Sequence, residues 1–308
     1  MNELYGPLFT IEHKDSYNER YLITNTPISG LCFNNRFAWS VNRFYQYLIV
    51  EDCACLYTEG EEGLVSQHLL FPLGDLTPQK LKIIVDFYYP AFEQLGNPMK
   101  IVYVSNEKLL LFDDIKGYQK EEVHKADFDE YVYDAQSLRT FSGKALHSKK
   151  SQLNKFFREC NGCHYDPLYK DDQDDCLNLV EAWCNDRGYD KEDLLYSDYL
   201  PIKIMFENMD RLSIHGGTIR LLNKMVAFSI GSDILDGTAF IHFEKADHSV
   251  PGTNVAIISA VLENEYPKAE FINREEDMGI EGLRTAKQSY NPIKMAIKND
   301  IILTRLIE

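Results

Sequence analysis

Short apolar runs in the first third of the chain predict strands that lead into one helix. Four such runs, separated by polar or glycine-containing turns, cover residues 37–41, 45–50, 54–58 and 68–71. Thr77 and Pro78 have the residue types of a helix N-cap and first helical position. Apolar side chains then recur at helical spacing as far as Phe92, and residues 99–104 form another apolar run. This pattern predicts the order β-β-β-β-α-β.

The later part of the chain predicts a similar order. Residues 212–222, 225–232 and 238–244 have the pattern of successive antiparallel strands, and Asp236-Gly237 is a typical hairpin turn. Pro251 and Gly252 open a predicted helix, and residues 269–272 predict a buried strand before another helix. Residues 192–209 predict a helix broken near Pro201. Residues 293–297 and 301–306 predict a closing hairpin around Asn299-Asp300.

The repeated β-β-β-α-β order predicts two related domains with mixed, mostly antiparallel sheets. The fold class expected is therefore α/β (α+β). The acidic stretch at residues 112–134 is interpreted as the passage between the domains. We expect the first domain at residues 1–135 and the second, which carries the candidate site, at residues 136–308.

Composition indicates a folded globular protein and limits its partners. Of the 308 residues, 44% are hydrophobic and 12% aromatic, and the formal net charge is −16. Such an acidic surface disfavours tight binding to tRNA or an anionic membrane, although a local basic site can still bind a phosphate. The first residues lack a signal-peptide pattern, and no apolar run is long enough to span a membrane. A cytoplasmic protein is expected.

The seven cysteines predict reduced thiols and no metal site. Cys160-Asn-Gly-Cys163-His164 matches the haem-attachment pattern, but it follows a basic helix in a chain without an export signal. Haem is therefore not expected. A zinc site would need a second ligand pair at suitable spacing, and the sequence offers none.

One strongly basic segment, residues 143–158, interrupts the acidic sequence. It predicts a helix on which Lys144, His147, Lys150 and Asn154 are candidate contacts for a polyanionic ligand. The alternative is a solvated helix face.

The richest chemistry lies in residues 270–290. A buried strand leads into Arg274, Glu275 and Asp277, and a helix follows with Arg284 and Lys287 on neighbouring turns. Ligands of open α/β sheets usually bind where strands end, so this turn is a candidate site. The alternative is an ordinary connection whose charges are solvated.

Acyl transfer to an amine needs a base and donors for the oxyanion. Glu275 or Asp277 is the candidate base or amine contact, and a helix N-cap is the alternative for Asp277. Arg284 and Lys287 are candidates to bind a phosphate or the oxyanion, or else form surface ion pairs. Gly282 lowers helix propensity by about 1 kcal/mol relative to Ala, which favours close approach of a ligand or backbone.

Two further residues, His242 and Glu244, alternate onto one face of a predicted strand. They are candidates to line the same cleft, although a histidine satisfied within the core is an equal alternative. Tyr290 is a candidate acid, with a buried structural role as the alternative.

Acyltransferases related to the GNAT superfamily have this order of elements along the chain: antiparallel strands, then a helix, then a parallel strand. Two neighbouring strands splay apart in those enzymes, and residues 238–244 and 271–274 would be that pair. The helix after Gly252 would then direct its amides at a phosphate. Residues 246–252 stand in place of the superfamily's glycine-containing phosphate loop, which disfavours acetyl-CoA as the donor.

Three segments resemble a family of bacterial proteins related to the C-terminal domain of phosphatidylglycerol lysyltransferase. They are His242-Phe-Glu-Lys-Ala246, the run from Asn273 to Lys287, and Ser289-Tyr-Asn-Pro292. The segment Gly143-Lys-Ala-Leu-His-Ser-Lys-Lys150, with Asn154, is similar to that family's basic helix. The resemblance implies a tandem GNAT-like fold, akin also to the Fem aminoacyltransferases.

The resemblance also implies transfer of an acyl or aminoacyl group, with acyl-CoA or aminoacyl-tRNA as the donor. Asn273, Arg274, Gly279 and Gly252 are then further expected substrate contacts. A GNAT-like binding protein or sensor without turnover is the alternative function. A nucleic-acid-binding protein that uses the basic helix is a third.

Overall fold

Residues 3–60, 65–113, 115–188 and 197–306 are described by a computed structural model of the chain. They form two units, one comprising Met1–Asp129 with Ala296–Glu308 and the other Glu130–Met295. The second unit is therefore inserted between two segments of the first.

The described residues of the first unit form a six-stranded sheet and three α-helices. The helices are α1 (Lys14–Thr24), α2 (Phe33–Trp39) and α3 (Pro78–Leu95). The strands are β1 (Gln46–Val50), β2 (Cys53–Thr58), β3 (His68–Leu70), β4 (Met99–Ser105), β5 (Tyr118–His124) and β13 (Lys298–Arg305). Their order in the sheet is β1-β2-β3-β4-β13-β5, and β3 pairs with β4 in parallel.

The helix α3 begins where the sequence predicts. The Thr77 hydroxyl accepts a hydrogen bond from the Lys80 amide at 3.2 Å, and Pro78 is the first helical residue. Gly96 ends the helix in the left-handed conformation at φ 71°. Its buried face includes Leu81, Ile84, Val85, Tyr88 and Phe92.

The predicted strand at residues 37–41 is wrong, because residues 37–39 belong to α2 and residues 40–41 to the 3-10 helix Ser40–Asn42 that follows it. Phe33 and Phe37 lie one helical turn apart and stack with ring centroids 5.7 Å apart. Both sides of the helix are covered, so Asn34, Asn35 and Arg36 are buried along with Phe33. A segment that is buried all round has no polar face from which its period can be recognised.

The second unit contains a seven-stranded sheet. Its strands are β6 (Glu130–Asp134), β7 (Cys163–Pro167), β8 (Ile214–Leu221), β9 (Lys224–Leu235), β10 (Thr238–Ala246), β11 (Phe271–Asn273) and β12 (Lys294–Ala296). Its described helices are α4 (Ala135–Thr140), α5 (His147–Glu159), α6 (Gln173–Asn185), α7 (Tyr199–Glu207), α8 (Thr253–Asn264) and α9 (Glu281–Gln288). The strand order is β12-β6-β11-β10-β9-β8-β7.

The repeated order predicted from the sequence is present in both sheets. β8, β9 and β10 are antiparallel neighbours, and β11 follows α8 to pair with β10 in parallel. In the first unit, β1, β2 and β3 are likewise antiparallel, and β4 follows α3 to pair with β3 in parallel. The α/β class with mixed, mostly antiparallel sheets is thus confirmed.

The predicted closing hairpin is wrong, since its two strands belong to different sheets. β12 lies at the edge of the second sheet, whereas β13 pairs with β4 and β5 in the first. Asn299 and Asp300, predicted as the turn, lie within β13 and pair with His124 and Val123. Residues 296–308 therefore belong with the first unit, in contrast to the expected division after residue 135.

Three further expectations concern local features. Cys160 and Cys163 are joined as a disulfide, which corrects the expectation of reduced thiols for this pair, and the five other cysteines are buried and reduced. Within the predicted helix at residues 192–209, Tyr199–Glu207 is helical, while residues 192–196 lie outside the described part. Among the described helices, none is long and apolar enough to cross a membrane.

Candidate functional site

The neighbouring strands β10 and β11 separate after three paired positions. The last pair is Phe240 with Asn273. Beyond it the chain follows β6 instead, because Arg274 donates its amide to the Tyr131 carbonyl at 3.0 Å and Tyr131 donates to the Glu275 carbonyl at 3.1 Å. β10 continues along β9 as far as Ala246. We call the resulting space, bordered by His242, Glu244, Arg274 and Glu275, the strand gap.

A chain of three polar side chains lies across the strand gap. His242 Nδ1 is 2.8 Å from Glu275 Oε1, and His242 Nε2 is 2.6 Å from the Ser232 hydroxyl on β9. With Glu275 ionised, Nδ1–H donates to the carboxylate and Nε2 accepts from the hydroxyl. The His242 side chain is 0% exposed and that of Glu275 is 18% exposed. Glu275 is therefore the member of the pair that can reach a ligand.

The backbone of Glu275 is held in an uncommon conformation. Its φ is +60°, in the left-handed region that non-glycine residues rarely adopt and that costs on the order of 1 kcal/mol. Asn273 stabilises this turn, since its Oδ1 accepts from the Glu275 amide at 2.8 Å and its Nδ2 donates to Glu130 Oε2 at 2.6 Å. Asn273 and Glu130 are both 0% exposed. Asn273 thus positions the candidate base within the fold.

Burial raises the pKa of the Glu275 carboxyl, and the hydrogen bond from His242 opposes this shift. A carboxyl group with a raised pKa is a better proton acceptor near neutral pH than an ordinary one. The arrangement is therefore chemically suited to accept a proton from a bound nucleophile.

The second pair across the strand gap is Arg274 with Glu244. Arg274 Nη2 donates to Glu244 Oε1 at 2.8 Å, and the two side chains are 12% and 15% exposed. The Arg274 guanidinium also lies 4.6 Å from the Tyr290 ring centroid and 5.7 Å from that of Tyr133. Arg274 Nη1 and Glu244 Oε2 are buried atoms without a hydrogen-bond partner among the described residues. The Arg274–Glu244 ion pair therefore contains one donor atom and one acceptor atom whose hydrogen-bonding capacity is not used within the described residues.

The basic helix α5 approaches this site through Lys149. Its ammonium lies 4.0 Å from the Tyr290 ring centroid, and burial followed by the charge of Arg274 lowers the pKa of Lys149. Tyr290 is 3% exposed, and burial raises its pKa to about 12. Tyr290 is therefore packed between two cations, which fits the structural alternative better than the role of acid.

The other predicted residues of the basic segment are exposed. Lys144, His147, Lys150 and Asn154 all lie on the solvent side of this segment. No hydrogen bond or ion pair joins these four to the strand gap within the described part of the chain. Their proposed ligand contacts remain predictions.

Asp277 is an internal support of the turn. Its carboxylate accepts from Arg284 Nε and Nη2, both at 2.9 Å, from the Tyr131 hydroxyl at 2.7 Å and from the Gly279 amide at 2.8 Å. The hydrogen bonds from Arg284 are the largest cause that lowers the pKa of Asp277, to about 2. A carboxylate so satisfied is a weak base. The helix α9 has Ile280, rather than Asp277, as its N-cap residue.

Lys287 supports the same turn from α9. Its ammonium donates to the carbonyls of Arg274 and Glu275, the latter at 3.1 Å. Burial, followed by the charge of Arg274, lowers the pKa of Lys287 to about 8. Both Arg284 and Lys287 therefore hold the turn that carries Glu275, and binding of a phosphate or oxyanion by them remains a prediction.

The three predicted glycines have different surroundings. Gly279 has a φ of +75° within the turn. Gly252 precedes α8 with a φ of +87°, and an added Cβ would lie 2.9 Å from the Gln152 carbonyl oxygen of α5. Around Gly282, by contrast, no described atom lies within 4 Å of the position of a Cβ. The close approach inferred for Gly282 does not involve protein atoms, whereas Gly252 makes a close contact between two helices.

Residues missed by the sequence analysis complete the site. Ser232, Glu130 and Tyr131 contact His242, Asn273 and Asp277 across sequence separations of 10, 143 and 146 residues. No sequence motif or local spacing identifies these three residues, because each contacts a partner that only the folded structure brings close to it. Ser232 lies two residues after Ile230 on a predicted strand, and nothing in the sequence beyond its residue type indicates a role for its hydroxyl.

Comparison with known proteins agrees with the fold. The profile of the family described as phosphatidylglycerol lysyltransferase, C-terminal, matches residues 23–297. A conserved protein of unknown function from Bacteroides thetaiotaomicron has a structure with a TM-score of 0.86 at 24% identity, covering 97% of this chain and 99% of that chain.

Two more distant structures share the fold. The C-terminal domain of a protein described as a lysylphosphatidylglycerol synthetase, from Agrobacterium fabrum, has a TM-score of 0.64 at 14% identity, covering 94% and 91% of the two chains. FemX has a TM-score of 0.61 at 8% identity, covering 95% and 96%. A tandem GNAT protein from the clavulanic acid biosynthesis pathway has a TM-score of 0.50 at 7% identity, covering 95% and 96%, and the predicted GNAT-like fold is confirmed.

Proposed function

Because the chain belongs to the family of the phosphatidylglycerol lysyltransferase C-terminal domain, we propose that its second unit is an aminoacyltransferase. The reaction is transfer of an aminoacyl group from an activated ester to an amine or hydroxyl acceptor. The observation that carries the proposal is the strand gap, where a buried acid–base pair lies beside a free donor and a free acceptor.

Glu275 acts as the general base in this proposal. Its carboxylate takes the proton from the acceptor as the acceptor nitrogen or oxygen attacks the acyl carbon. The ester C–O bond then breaks, and the protonated Glu275 returns the proton to the leaving alcohol oxygen. His242 donates to Glu275 and keeps it oriented, and Ser232 completes the chain of hydrogen bonds behind His242.

Arg274 and Glu244 bind the aminoacyl group. The Glu244 carboxylate is suited to accept a hydrogen bond from the α-ammonium and the Arg274 guanidinium to donate to the acyl oxygen, since the two side chains are 15% and 12% exposed. The negative charge on that oxygen increases as the tetrahedral intermediate forms, so a positively charged donor stabilises the transition state more than the substrate.

The surroundings of α8 favour an aminoacyl ester over an acyl-CoA as the donor. In a GNAT-type site, the pyrophosphate of CoA would approach the N-terminus of this helix. Here Gly252 packs against the backbone of α5, and Thr253 is 1% exposed. An activated ester such as aminoacyl-tRNA has no pyrophosphate that must reach the N-terminus of α8.

The test is a transfer assay with the full chain. Lysyl-tRNA and other aminoacyl-tRNAs are supplied with phosphatidylglycerol vesicles or amine-bearing peptides, acyl-CoA replaces them in a parallel reaction, and products are detected by mass spectrometry. Glu275→Gln should lower kcat by about 10²–10⁴-fold, the range that a general base contributes. The exposed Glu281 is not one of the residues that border the strand gap, so Glu281→Gln is the control and should retain wild-type kcat.

Two results would contradict the proposal. If Glu275→Gln is as active as the wild-type chain, another group is the base. If no donor and acceptor yield a product, although an aminoacyl donor stabilises the chain saturably against thermal unfolding, the protein is a sensor of that ligand.

A further inference from the structure

The first unit contains a cavity of about 180 Å³ along one face of its sheet. Lys100 and Val102 alternate onto the same side of β4, and Lys298 and Asp300 do so on β13. All four residues line the cavity. The cavity is built from residues of this unit alone, so it is distinct from the strand gap.

The lining of this cavity is strongly basic. Its charged side chains include one carboxylate, Asp300, and four cations: Arg43, Lys100, Lys125 and Lys298. Asp300 pairs with Lys100 at 2.8 Å. Arg43 and Lys125 have no carboxylate within ion-pair distance in the described part of the chain. The lining residues thus carry four positive charges and one negative charge, in a protein whose net charge is −16.

A fifth cation lies behind the cavity wall. Arg36 is 2% exposed, and its guanidinium lies 5.4 Å from the Tyr45 ring centroid and 5.5 Å from that of Tyr103, both of which line the cavity. It donates to the Tyr45 hydroxyl and to Asn35 Oδ1, at 3.1 and 3.0 Å, and its Nε has no partner among the described residues. Since a buried charge without a counter-charge is costly, an anion nearby would stabilise this arrangement.

The wall itself is held by a chain of hydrogen bonds. The Tyr45 hydroxyl is 2.9 Å from His68 Nε2, and His68 Nδ1 is 2.7 Å from the Ser66 carbonyl oxygen. Burial, followed by the charge of Arg36, lowers the pKa of His68 to about 3. His68 is therefore neutral, donates from Nδ1 to Ser66 and accepts from Tyr45. The wall is fixed before a ligand arrives, which reduces the entropy cost of binding.

The backbone at Tyr103 departs from regular strand geometry. Its φ is +63° in the middle of β4, an uncommon conformation for an aromatic residue, and such strain is found preferentially at ligand sites. The Lys298 ammonium lies 5.0 Å from the Tyr103 ring centroid. Phe128, which is 44% exposed, also lines the cavity. Aromatic surface is thus available beside the cations.

We propose that this cavity binds the phosphate group of a small organic phosphate. A phosphate monoester carries up to two negative charges and several acceptor oxygens, which suit a surplus of ammonium and guanidinium donors. The aromatic rings would contact the organic part. This inference does not rest on the proposed transferase activity, because no residue of the strand gap takes part.

The experiment is isothermal titration calorimetry of the full chain at constant ionic strength. The probes are inorganic phosphate, phenyl phosphate and benzoate, the last having the same ring with a carboxylate. We expect saturable binding of both phosphates and weaker binding of benzoate. Lys125→Met and Lys298→Met should each weaken phenyl phosphate binding by roughly tenfold, as expected for loss of one charge-assisted hydrogen bond.

Lys116→Met is the matched control. Lys116 is exposed in the same unit and does not line the cavity, so this variant loses one positive charge and should bind as the wild-type chain does. Absence of saturable phosphate binding would overturn the proposal, as would tighter binding of benzoate or unchanged affinity in the cavity variants. Should Lys298→Met fail to fold, the exposed Lys125 decides the outcome alone.

Discussion

At the scale of single residues, Glu275 and Asp277 lie two positions apart and have opposite electrostatic surroundings. Burial raises the pKa of Glu275, whereas the hydrogen bonds from Arg284 lower that of Asp277 to about 2. Pairs of titratable groups with pKa values driven apart are common where one serves as acid or base and the other stays ionised. The same contrast supports the proposed role of Glu275 as the base, whereas the contacts of Asp277 support the turn.

The role of Asp277 in support predicts a pH-dependent loss of stability in Asp277→Asn. The folded-state pKa lies below the ordinary 3.8, so this carboxylate stabilises the fold above pH 4 and the contribution is lost as the pH falls towards about 2. Arg284 is 39% exposed, so solvent screening limits the effect to about 1–2 kcal/mol. Urea unfolding of the variant and wild type at pH 6 and pH 2 measures it.

The comparison at two pH values separates the ion pair from other effects of this substitution. The difference in unfolding free energy between wild type and variant should nearly vanish at pH 2. A difference that is the same at both pH values would show that the charge of Asp277 contributes nothing.

At the scale of elements, the two glycines of the helices α8 and α9 predict opposite effects of the same substitution. Gly252→Ala places a Cβ 2.9 Å from the Gln152 carbonyl oxygen at a φ of +87°, so we expect a loss of about 1–3 kcal/mol. Gly282→Ala adds a Cβ in open space within a helix and should stabilise by about 0.5–1 kcal/mol. Thermal and urea unfolding of both variants measures these changes.

Gly282→Ala also has a functional outcome. If a substrate passes close to Gly282, transfer activity falls while stability rises. If transfer activity is unchanged, Gly282 has no role in binding the substrate.

For the other variant, a stabilising effect of Gly252→Ala would contradict the close contact between Gly252 and α5.

Elements whose conformation is set by residues nearby in sequence could be predicted from the sequence. Elements whose conformation depends on contacts with residues distant in sequence could not. Thr77 and Pro78 begin α3 through neighbouring groups, so their residue types were sufficient. Residues 37–41 are helical, and Phe37 stacks on Phe33, which lies in a first helical turn that is buried on all sides. Asn299 and Asp300 have turn-forming residue types, yet β13 pairs with β4 and β5, which are far away in sequence.

The candidate site follows the same rule. Asn273, Arg274, Glu275 and Asp277 belong to one contiguous segment, so the sequence pointed to them together. Ser232 and Glu130 enter through the pairing of strands, and their contribution depends on a register that no local pattern specifies. The assignment of roles within the segment also required contacts, because exposure and hydrogen bonding distinguish Glu275 from Asp277.

At the scale of the whole molecule, the inserted arrangement of the units makes β13 a structural requirement of the first sheet. Ile301 on β13 is 0% exposed and pairs with Ile101 of β4 and Glu122 of β5. Ile301→Ala should destabilise the first unit by about 2–5 kcal/mol. Hydrogen exchange should then accelerate in β4 and β5, while β8, β9 and β10 keep their protection.

The exposed Thr304 on the same strand supplies the control. Thr304→Ala should leave exchange in both sheets within experimental error of the wild type. Equal acceleration of exchange in both sheets of Ile301→Ala would show that the units unfold together rather than separately.

The position of β13 also sets an order of events during synthesis. The ribosome makes β1 to β5 first, but the strand that lies between β4 and β5 emerges only after the whole second unit. At about 5–20 residues per second, the 176 residues from Glu130 to Arg305 take on the order of 10–35 seconds. During that interval the second unit can complete its sheet while the nascent first unit still exposes two strand edges, so the part translated later is the part that finishes folding earlier.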